Sequence, residues 1–215
     1  MPTFKELKDR TTVLVDDDTI DTLIGSFINQ GVYEIAGGMN STLLNIITPP
    51  LPELFTIGTV TTSISAPYVS MPTTYHRNLQ LVVSSRNIEI EIANSFIEFS
   101  QTYPALNKAG IISEVIEQGR KLYYQGIPLV AETLTMHFYR KPVAMSLDAD
   151  KPDGIPEHLQ MSLLSNFASW KVYELLEDGV EGTTPNTVKF RTFFTEALRI
   201  LELTIPNDSR GLILK

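Results

Sequence analysis

The spacing of apolar residues changes twice along the chain, and this change constrains the fold more than any other feature. In residues 1–48 and 155–205, apolar side chains recur every three or four positions, the spacing of one helix face. In residues 49–154, short stretches such as "NIEIEIA" alternate apolar and polar side chains. The pattern therefore predicts an α+β protein, in which an antiparallel β domain (49–154) is inserted into a helical core (1–48 and 155–205).

Two helices are predicted before the β block. The first follows Thr3, which stands three residues before Glu6 as in a capping box. The second follows the acidic run Asp16–Asp18 and ends at Gly37-Gly38, with the acidic residues at its N-cap and first turn. Capping is favoured over metal binding for this run, because a helix dipole stabilises carboxylates there. The predicted apolar faces are Phe4, Leu7 and Thr11 in the first helix, and Ile20, Leu23, Ile24, Phe27, Ile28 and Ile35 in the second.

Two more helices are predicted after the β block, as an antiparallel hairpin that completes a bundle of about four helices. One enters through Pro156 and runs to Gly179, and the other runs from Thr187 to about Ile205. Their apolar stripes are Leu159, Leu163, Phe167, Trp170 and Tyr173 in one, and Phe190, Phe194, Leu198 and Leu201 in the other.

Within the β block, strands are predicted at Leu79–Val83, in "NIEIEIA" (87–93) and in "ETLTMHFYRKP" (132–142). A hairpin is predicted with its turn near Gln118-Gly119, and residues 95–110 are expected to form a helical turn or loop.

Composition excludes several functional classes. The 215 residues include no cysteine, so disulfides, thiolate nucleophiles and zinc sites built on sulfur are excluded. A net charge of -8 is the wrong sign for tight binding of nucleic acid. Since no apolar run of about 18 residues occurs and the N-terminus has no signal-peptide pattern, we expect a soluble protein with no membrane partner.

The catalytic candidates are few, because the chain has only three histidines: His76, His137 and His158. Glu157 and His158 are neighbours, but consecutive helical residues point in different directions, so this pair is interpreted as the start of a helix. The acidic segment "DADKPDG" (148–154) lacks the closing glutamate of a calcium loop, and a linker is favoured. No catalytic residues, metal ligands or cofactors are predicted.

Two features indicate binding surfaces. Tyr123, Tyr124, Phe138 and Tyr139 fall on predicted strands, where cross-strand packing is favoured and a ligand groove remains an alternative. The C-terminal arm, residues 206–215, is polar at first but ends in Leu212, Ile213 and Leu214. An apolar arm of this kind needs a partner.

The order of these features resembles the head-to-tail adaptor, or connector, proteins of tailed bacteriophages, especially those with short tails. The likeness covers about Phe4 to Ile205. It is carried by "FKELKDR", "DDDTIDTLIGSFINQGVYEIA", "FSQTYPALNKAGIISEVIEQGRKLYYQGIP", "ETLTMHFYRKPVAM" and "GIPEHLQMSLLSNFASWKVYELLEDG".

The resemblance implies a structural virion protein rather than an enzyme, made in the cytoplasm of the bacterial host and located at the head–tail junction. It implies a homo-oligomeric ring of twelve copies beneath the portal protein, in contact with a downstream tail or nozzle protein. DNA would pass through the ring without specific binding. The implied portal interface is the C-terminal segment, with Ile205, Leu212, Ile213 and Leu214 as candidates. Two alternatives stay open: another tail component (tube, stopper or baseplate), and a carbohydrate-binding module.

Overall fold

The structure, a computed structural model, describes residues 1–17, 20–41, 43–44, 46–177 and 184–205. Within them the prediction of an α+β fold is confirmed. The described residues divide into two compact units, a helical unit (up to Leu54 and from Lys141 onward) and a β unit (Phe55–Arg140). The predicted domain boundaries, 49–154 for the insert, stay a prediction.

Five α-helices and nine strands occur in the described residues. The helices are α1 (Phe4–Val15), α2 (Asp21–Gly37), α3 (Phe96–Thr102), α4 (Glu157–Leu176) and α5 (Pro185–Thr204), and a 3₁₀-helix spans Pro52–Leu54. The strands are β1 (Asn40–Ser41), β2 (Ile46–Ile47), β3 (Phe55–Thr61), β4 (Tyr68–Ser70), β5 (Tyr75–Val83), β6 (Glu89–Ile92), β7 (Glu114–Gln118), β8 (Lys121–Tyr124) and β9 (Thr133–Arg140).

Helix α1 begins with the predicted capping box. The Glu6 backbone N–H donates to the Thr3 hydroxyl at 3.3 Å, and the Thr3 N–H donates to the Glu6 carboxylate at 2.8 Å. Two further N–H groups of the first turn, those of Phe4 and Lys5, donate to the carbonyls of Asp150 and Asp148. All donors at a helix start need partners, so the segment after the β unit completes this helix end.

The predicted N-cap of α2 is wrong, because Ile20 rather than an aspartate of the acidic run holds that position. Asp16 instead ends α1 in the left-handed conformation (φ 59°), and its N–H donates to the Thr12 carbonyl. Asp tolerates this conformation better than most residues, which makes it suitable for the turn between two helices. Helix α2 begins at Asp21, after Ile20, which makes no side-chain capping bond; Asp18 lies outside the described residues.

Helix α4 is the central helix of its unit, since it packs against α1, α2 and α5. Its predicted stripe is buried except for Tyr173, which is half-buried, and it buries a second face that includes Leu164, Ala168 and Val172. A helix buried on more than one side shows little amphipathic contrast, so its central position could not be recognised from periodicity. It starts one residue after Pro156 and ends at Leu176, while Gly179 lies outside the described residues.

Aromatic rings hold α4 and α5 together. The rings of Phe167 and Trp170 lie 5.2 and 5.8 Å from that of Phe194, and Tyr173 stacks on Phe190 at 5.4 Å. Later residues of α4 therefore contact earlier residues of α5, which shows that the two helices run antiparallel as predicted. The predicted α5 stripe is buried throughout.

The β unit is a seven-stranded sheet in the order β3-β9-β5-β6-β7-β8-β4. All neighbours pair antiparallel except β6 and β7, which are parallel. A parallel pair needs a crossover connection, and the chain between these strands provides one that contains α3. The prediction that "NIEIEIA" forms an antiparallel strand is thus correct for the pairing of β6 with β5 and wrong for its pairing with β7.

The sheet curls, because β3 and β4, the two ends of the strand order, contact each other. Its concave side holds a core built largely from alternate strand residues, among them Val82, Leu122, Tyr124, Met136 and Phe138. The predicted hairpin joins β7 and β8 through Gly119 and Arg120, both with positive φ (59° and 63°), as a tight two-residue turn requires.

Candidate functional site

The helical unit brings the chain to the start of the C-terminal arm at Ile205. Ile205 follows α5 in an extended conformation (φ -73°, ψ 126°), which suits a residue that precedes a proline. Its N–H donates to the Leu201 carbonyl, and its side chain is only 7% exposed. Ile205 is therefore packed within its own unit. Leu212, Ile213 and Leu214 lie outside the described residues.

Next to α5 lies a groove of about 390 Å³, here named the α5 groove, between α1, α4 and α5. Its walls include the cationic or titratable side chains of Arg10, His158 and Lys189, and the apolar side chains of Leu14, Phe190 and Phe193. None of the described residues that line it is an aspartate or glutamate. In a chain of net charge -8, such a groove favours an acidic, partly apolar partner.

Helix α5 also carries apolar residues on its outward face. Phe193, Ile200 and Leu203 are exposed and recur at helical spacing, to one side of the buried stripe. Sequence reasoning recognised the buried stripe only. The second stripe was visible as apolar residues offset by about a third of a turn, but periodicity alone could not show which stripe faces solvent.

The β unit carries a highly exposed apolar cluster, here named the loop patch. Ile111, Leu129 and Val130 are 74%, 82% and 77% exposed, and they line one cleft of about 580 Å³ together with Arg86 and Glu132. Exposed apolar clusters of this kind commonly mark interaction sites. Sequence reasoning missed it, because "GIPLVAE" has too few residues to show a period.

Hydrogen bonds fix the loops that carry this patch. The Gly110 and Ile127 N–H groups donate to the carbonyls of Ile127 and Lys108, at 2.9 and 2.8 Å. The Gln125 amide donates to the Ile111 carbonyl at 2.9 Å, and the Glu132 N–H donates to the Thr62 hydroxyl at 2.9 Å. The apolar side chains are therefore presented on an ordered scaffold, which lowers the entropic cost of binding.

The Glu157–His158 pair does not form a joint site. The Glu157 carboxylate pairs with the N-terminal ammonium, and the hydrogen bond from that ammonium holds the pKa of Glu157 below its ordinary value. His158 lines the α5 groove instead. The other two histidines lie in the β unit, where His76 accepts a hydrogen bond from Arg77 and the His137 ring lies 5.8 Å from that of Phe55.

The acidic segment 148–154 uses its carboxylates within the chain. Asp150 accepts hydrogen bonds from the Ser146 and Leu147 N–H groups, both at 2.7 Å, and these bonds lower its pKa. Asp148 pairs with Lys8 at 3.1 Å. Among the described residues, no group of three or more carboxylates and histidines is placed to hold a metal ion.

The four aromatic candidates separate into buried and half-buried residues. Tyr124, Phe138 and Tyr139 are buried, and Tyr124 donates to the Ala66 carbonyl while its oxygen accepts from the Ser63 N–H. Burial raises the pKa of Tyr124. Tyr123 is half-buried between the rings of Tyr68 and Phe96. Cross-strand packing accounts for these rings, and they do not converge on one groove.

The comparison with known proteins concerns the chain as a whole. A family model described as SU10 adaptor protein matches residues 2–211. No curated protein matches the chain. None of the described helices has both the length and the apolar character needed to span a bilayer.

Proposed function

The chain belongs to the SU10 adaptor protein family, and on that premise we propose that it is a structural bacteriophage protein that joins the portal of the head to the tail. The observation that carries the proposal is the family match over nearly the whole chain, residues 2–211. The proposed role involves no reaction. Its location is the head–tail junction of the virion, after synthesis in the cytoplasm of the host.

In this proposal the working form is a homo-oligomeric ring, of twelve copies, that continues the DNA exit channel beneath the portal. The proposed ring-forming element is a bundle of α1, α2, α4 and α5, with the β unit as an insert. Ring assembly is supported by the exposed apolar surfaces on both units, since each needs a partner. The net charge of -8 is compatible with DNA passing through without specific binding, because cations that would hold phosphates are in the minority.

The C-terminal arm is the proposed portal contact. Ile205 would fix the base of the arm, because it is buried in the helical unit, and Leu212, Ile213 and Leu214 would insert into the portal surface. The loop patch is the proposed contact for a downstream tail or nozzle protein. Its ordered, highly exposed apolar side chains support that role.

The experiment compares three forms of the chain for binding to the purified portal ring of the same phage: full length, lacking Asn207–Lys215, and a control in which Asn207, Asp208 and Ser209 become alanine. We expect the full chain and the control to co-sediment with the portal, and the deletion to remain in the supernatant. If the deletion binds as well as the full chain, the arm is not the portal contact. If the full chain does not bind, the adaptor proposal fails.

A further inference from the structure

Helix α5 carries an exposed apolar stripe that begins beside the base of the C-terminal arm. Leu203, Ile200 and Phe193 are 81%, 51% and 43% exposed, and they follow one line along the helix. We name these three residues the α5 stripe. It starts next to Ile205, where the arm begins, and it ends at Phe193 in the wall of the α5 groove. An exposed apolar line of this kind indicates that a partner covers it.

Two charged residues accompany the α5 stripe. Glu196 and Arg199 are exposed, and neither side chain makes an ion pair or hydrogen bond with any other described residue. With about 3.6 residues per turn, Glu196 lies within the stripe and Arg199 lies beside it. From Ile205 backwards along α5, the surface therefore presents a positive charge, then a negative charge, and then the ring of Phe193.

One side of the C-terminal arm has the complementary order. Alternate side chains of an extended chain point the same way. The residues that share one side of an extended arm are Asp208, Arg210, Leu212 and Leu214, all of which lie outside the described residues. From Ile205 outward, this side presents a negative charge, a positive charge and then apolar side chains. Lys215 falls on the opposite side, away from the cations of the α5 groove.

The lengths agree with an arm that folds back along α5. The three α5 positions (positive, negative, apolar) lie about 9, 14 and 18 Å before Ile205 along the helix. Their counterparts in an extended arm reach about 10, 17 and 23 Å beyond Ile205, so the arm is long enough at each position. The arm also begins with Pro206-Asn207, a pair typical of the central positions of a β-turn, which reverses the chain.

We propose that residues 206–215 fold back over the α5 stripe of the same copy in the free chain, and that this contact opens before the arm binds the portal. Only the opening step rests on the proposed function, because the portal contact of the arm belongs to that proposal. The stored arm would keep its leucines covered until the portal replaces α5 as their partner. The contacts are Asp208 with Arg199, Arg210 with Glu196, and Leu212 with Phe193.

The absence of native cysteine allows a direct test by cross-linking. Thr192 is exposed on α5 next to Phe193, and Gly211 precedes Leu212 in the arm. The full chain with Thr192→Cys and Gly211→Cys is treated at low concentration with a short bis-maleimide, without the portal. The matched control combines Gly211→Cys with Ser26→Cys, an exposed position on α2, which packs against α1 and α4.

We expect an intramolecular cross-link from the first pair, at the mass of one chain, with a yield several times that of the control pair. Equal yields would show that the arm has no preference for α5, and they would overturn the inference. Cross-linked dimers from the first pair would place the arm on another copy and would overturn it as well. Because the portal is absent, either result leaves the proposed function intact.

Exchanging charges tests the order of the contact at constant net charge. The exchange on the arm is Asp208→Arg with Arg210→Asp, and the exchange on α5 is Glu196→Arg with Arg199→Glu. Each exchange should lower the cross-link yield roughly fivefold, because like charges then face each other. Combining all four changes should restore the yield. If the combined variant stays as low as either exchange alone, these charges do not meet and the inference is overturned.

Portal binding tests the opening step. The cross-linked chain, whose arm is held on α5, should no longer co-sediment with the portal ring, whereas the same variant without the cross-linker should bind. If the cross-linked chain binds undiminished, the opening step is overturned. If the variant without the cross-linker and the original chain both fail to bind, the proposed function fails, while the cross-link in the free chain still establishes the folded-back arm.

Discussion

At the residue scale, Tyr124 illustrates why an aromatic residue on a strand need not mark a ligand site. Its ring is fully buried in the β unit, and its hydroxyl group bonds to the backbone of Ser63 and Ala66, in the connection between β3 and β4. The hydroxyl thus links a connecting segment to strand β8 of the curled sheet. The residue stabilises the fold and is not available to a ligand.

Replacing Tyr124 with phenylalanine tests this role. The change leaves the Ser63 N–H without its partner, so we expect the free energy of unfolding to fall by about 1–3 kcal/mol. Tyr123→Phe, at the half-buried neighbour, is the control and should cost less than about 0.5 kcal/mol. Denaturant unfolding of both variants measures these two losses of stability. Equal losses for the two variants would contradict the assignment.

Asp150 should make the folding stability depend on pH in the acidic range. Its folded pKa lies below its ordinary value of 3.8, because the Ser146 and Leu147 N–H groups stabilise the carboxylate. A lowered folded pKa adds stability that is fully present above the unfolded pKa and is lost as the pH falls through the folded pKa. We therefore measure the free energy of unfolding from pH 5 downward. It should fall less with pH for Asp150→Asn than for the original chain. An unchanged pH profile would contradict this.

At the element scale, the sequence was most informative where one side of an element is buried. Helices α1 and α5 could be predicted with their buried faces, because each has a single buried stripe. The central position of α4 could not, because burial on several sides removes the period. The parallel pairing of β6 with β7 was also hidden, since local alternation says nothing about which distant strand lies alongside.

Adjacent phenylalanines on α5 separate packing from binding. Phe194 is fully buried against Phe167 and Trp170, so Phe194→Ala should lower the free energy of unfolding by about 3–5 kcal/mol. Phe193 is 43% exposed in the α5 groove, so Phe193→Ala should cost less than about 1 kcal/mol. The Phe193 variant should instead weaken the contact between α5 and the C-terminal arm. Calorimetry of both variants and the cross-link between positions 192 and 211 check this, and the reverse order of stabilities would contradict it.

A glycine at position 120, in the turn between β7 and β8, should stabilise the protein. Arg120 holds a left-handed conformation (φ 63°), which is unfavourable for a residue with a side chain. Arg120→Gly should therefore raise the free energy of unfolding by about 1 kcal/mol, the low end of the cost of a left-handed conformation. The comparison is made by denaturant unfolding against Arg86→Gly, a control at an exposed arginine outside this turn. A loss of stability in Arg120→Gly would show that the arginine side chain matters more than the turn.

At the scale of the whole molecule, the sequence predicted the class of the fold and the family, and it left the partner surfaces largely unidentified. The fold class follows from the change of apolar spacing along the chain, because all the helices and strands contribute to that pattern. Surfaces such as the loop patch depend on residues brought together from distant loops, here Ile111, Leu129 and Val130. Their proximity is created by sheet pairing, which no short stretch of sequence reveals.

In the proposed function, the chain works as one of many copies on a portal. The most direct test is the mass in solution by light scattering after size exclusion, for the purified chain alone and mixed with the portal ring of the same phage. We expect a complex that holds many copies of the chain per portal ring, with a mass equal to twelve copies added to the ring. A chain whose mass is unchanged by the portal would contradict it.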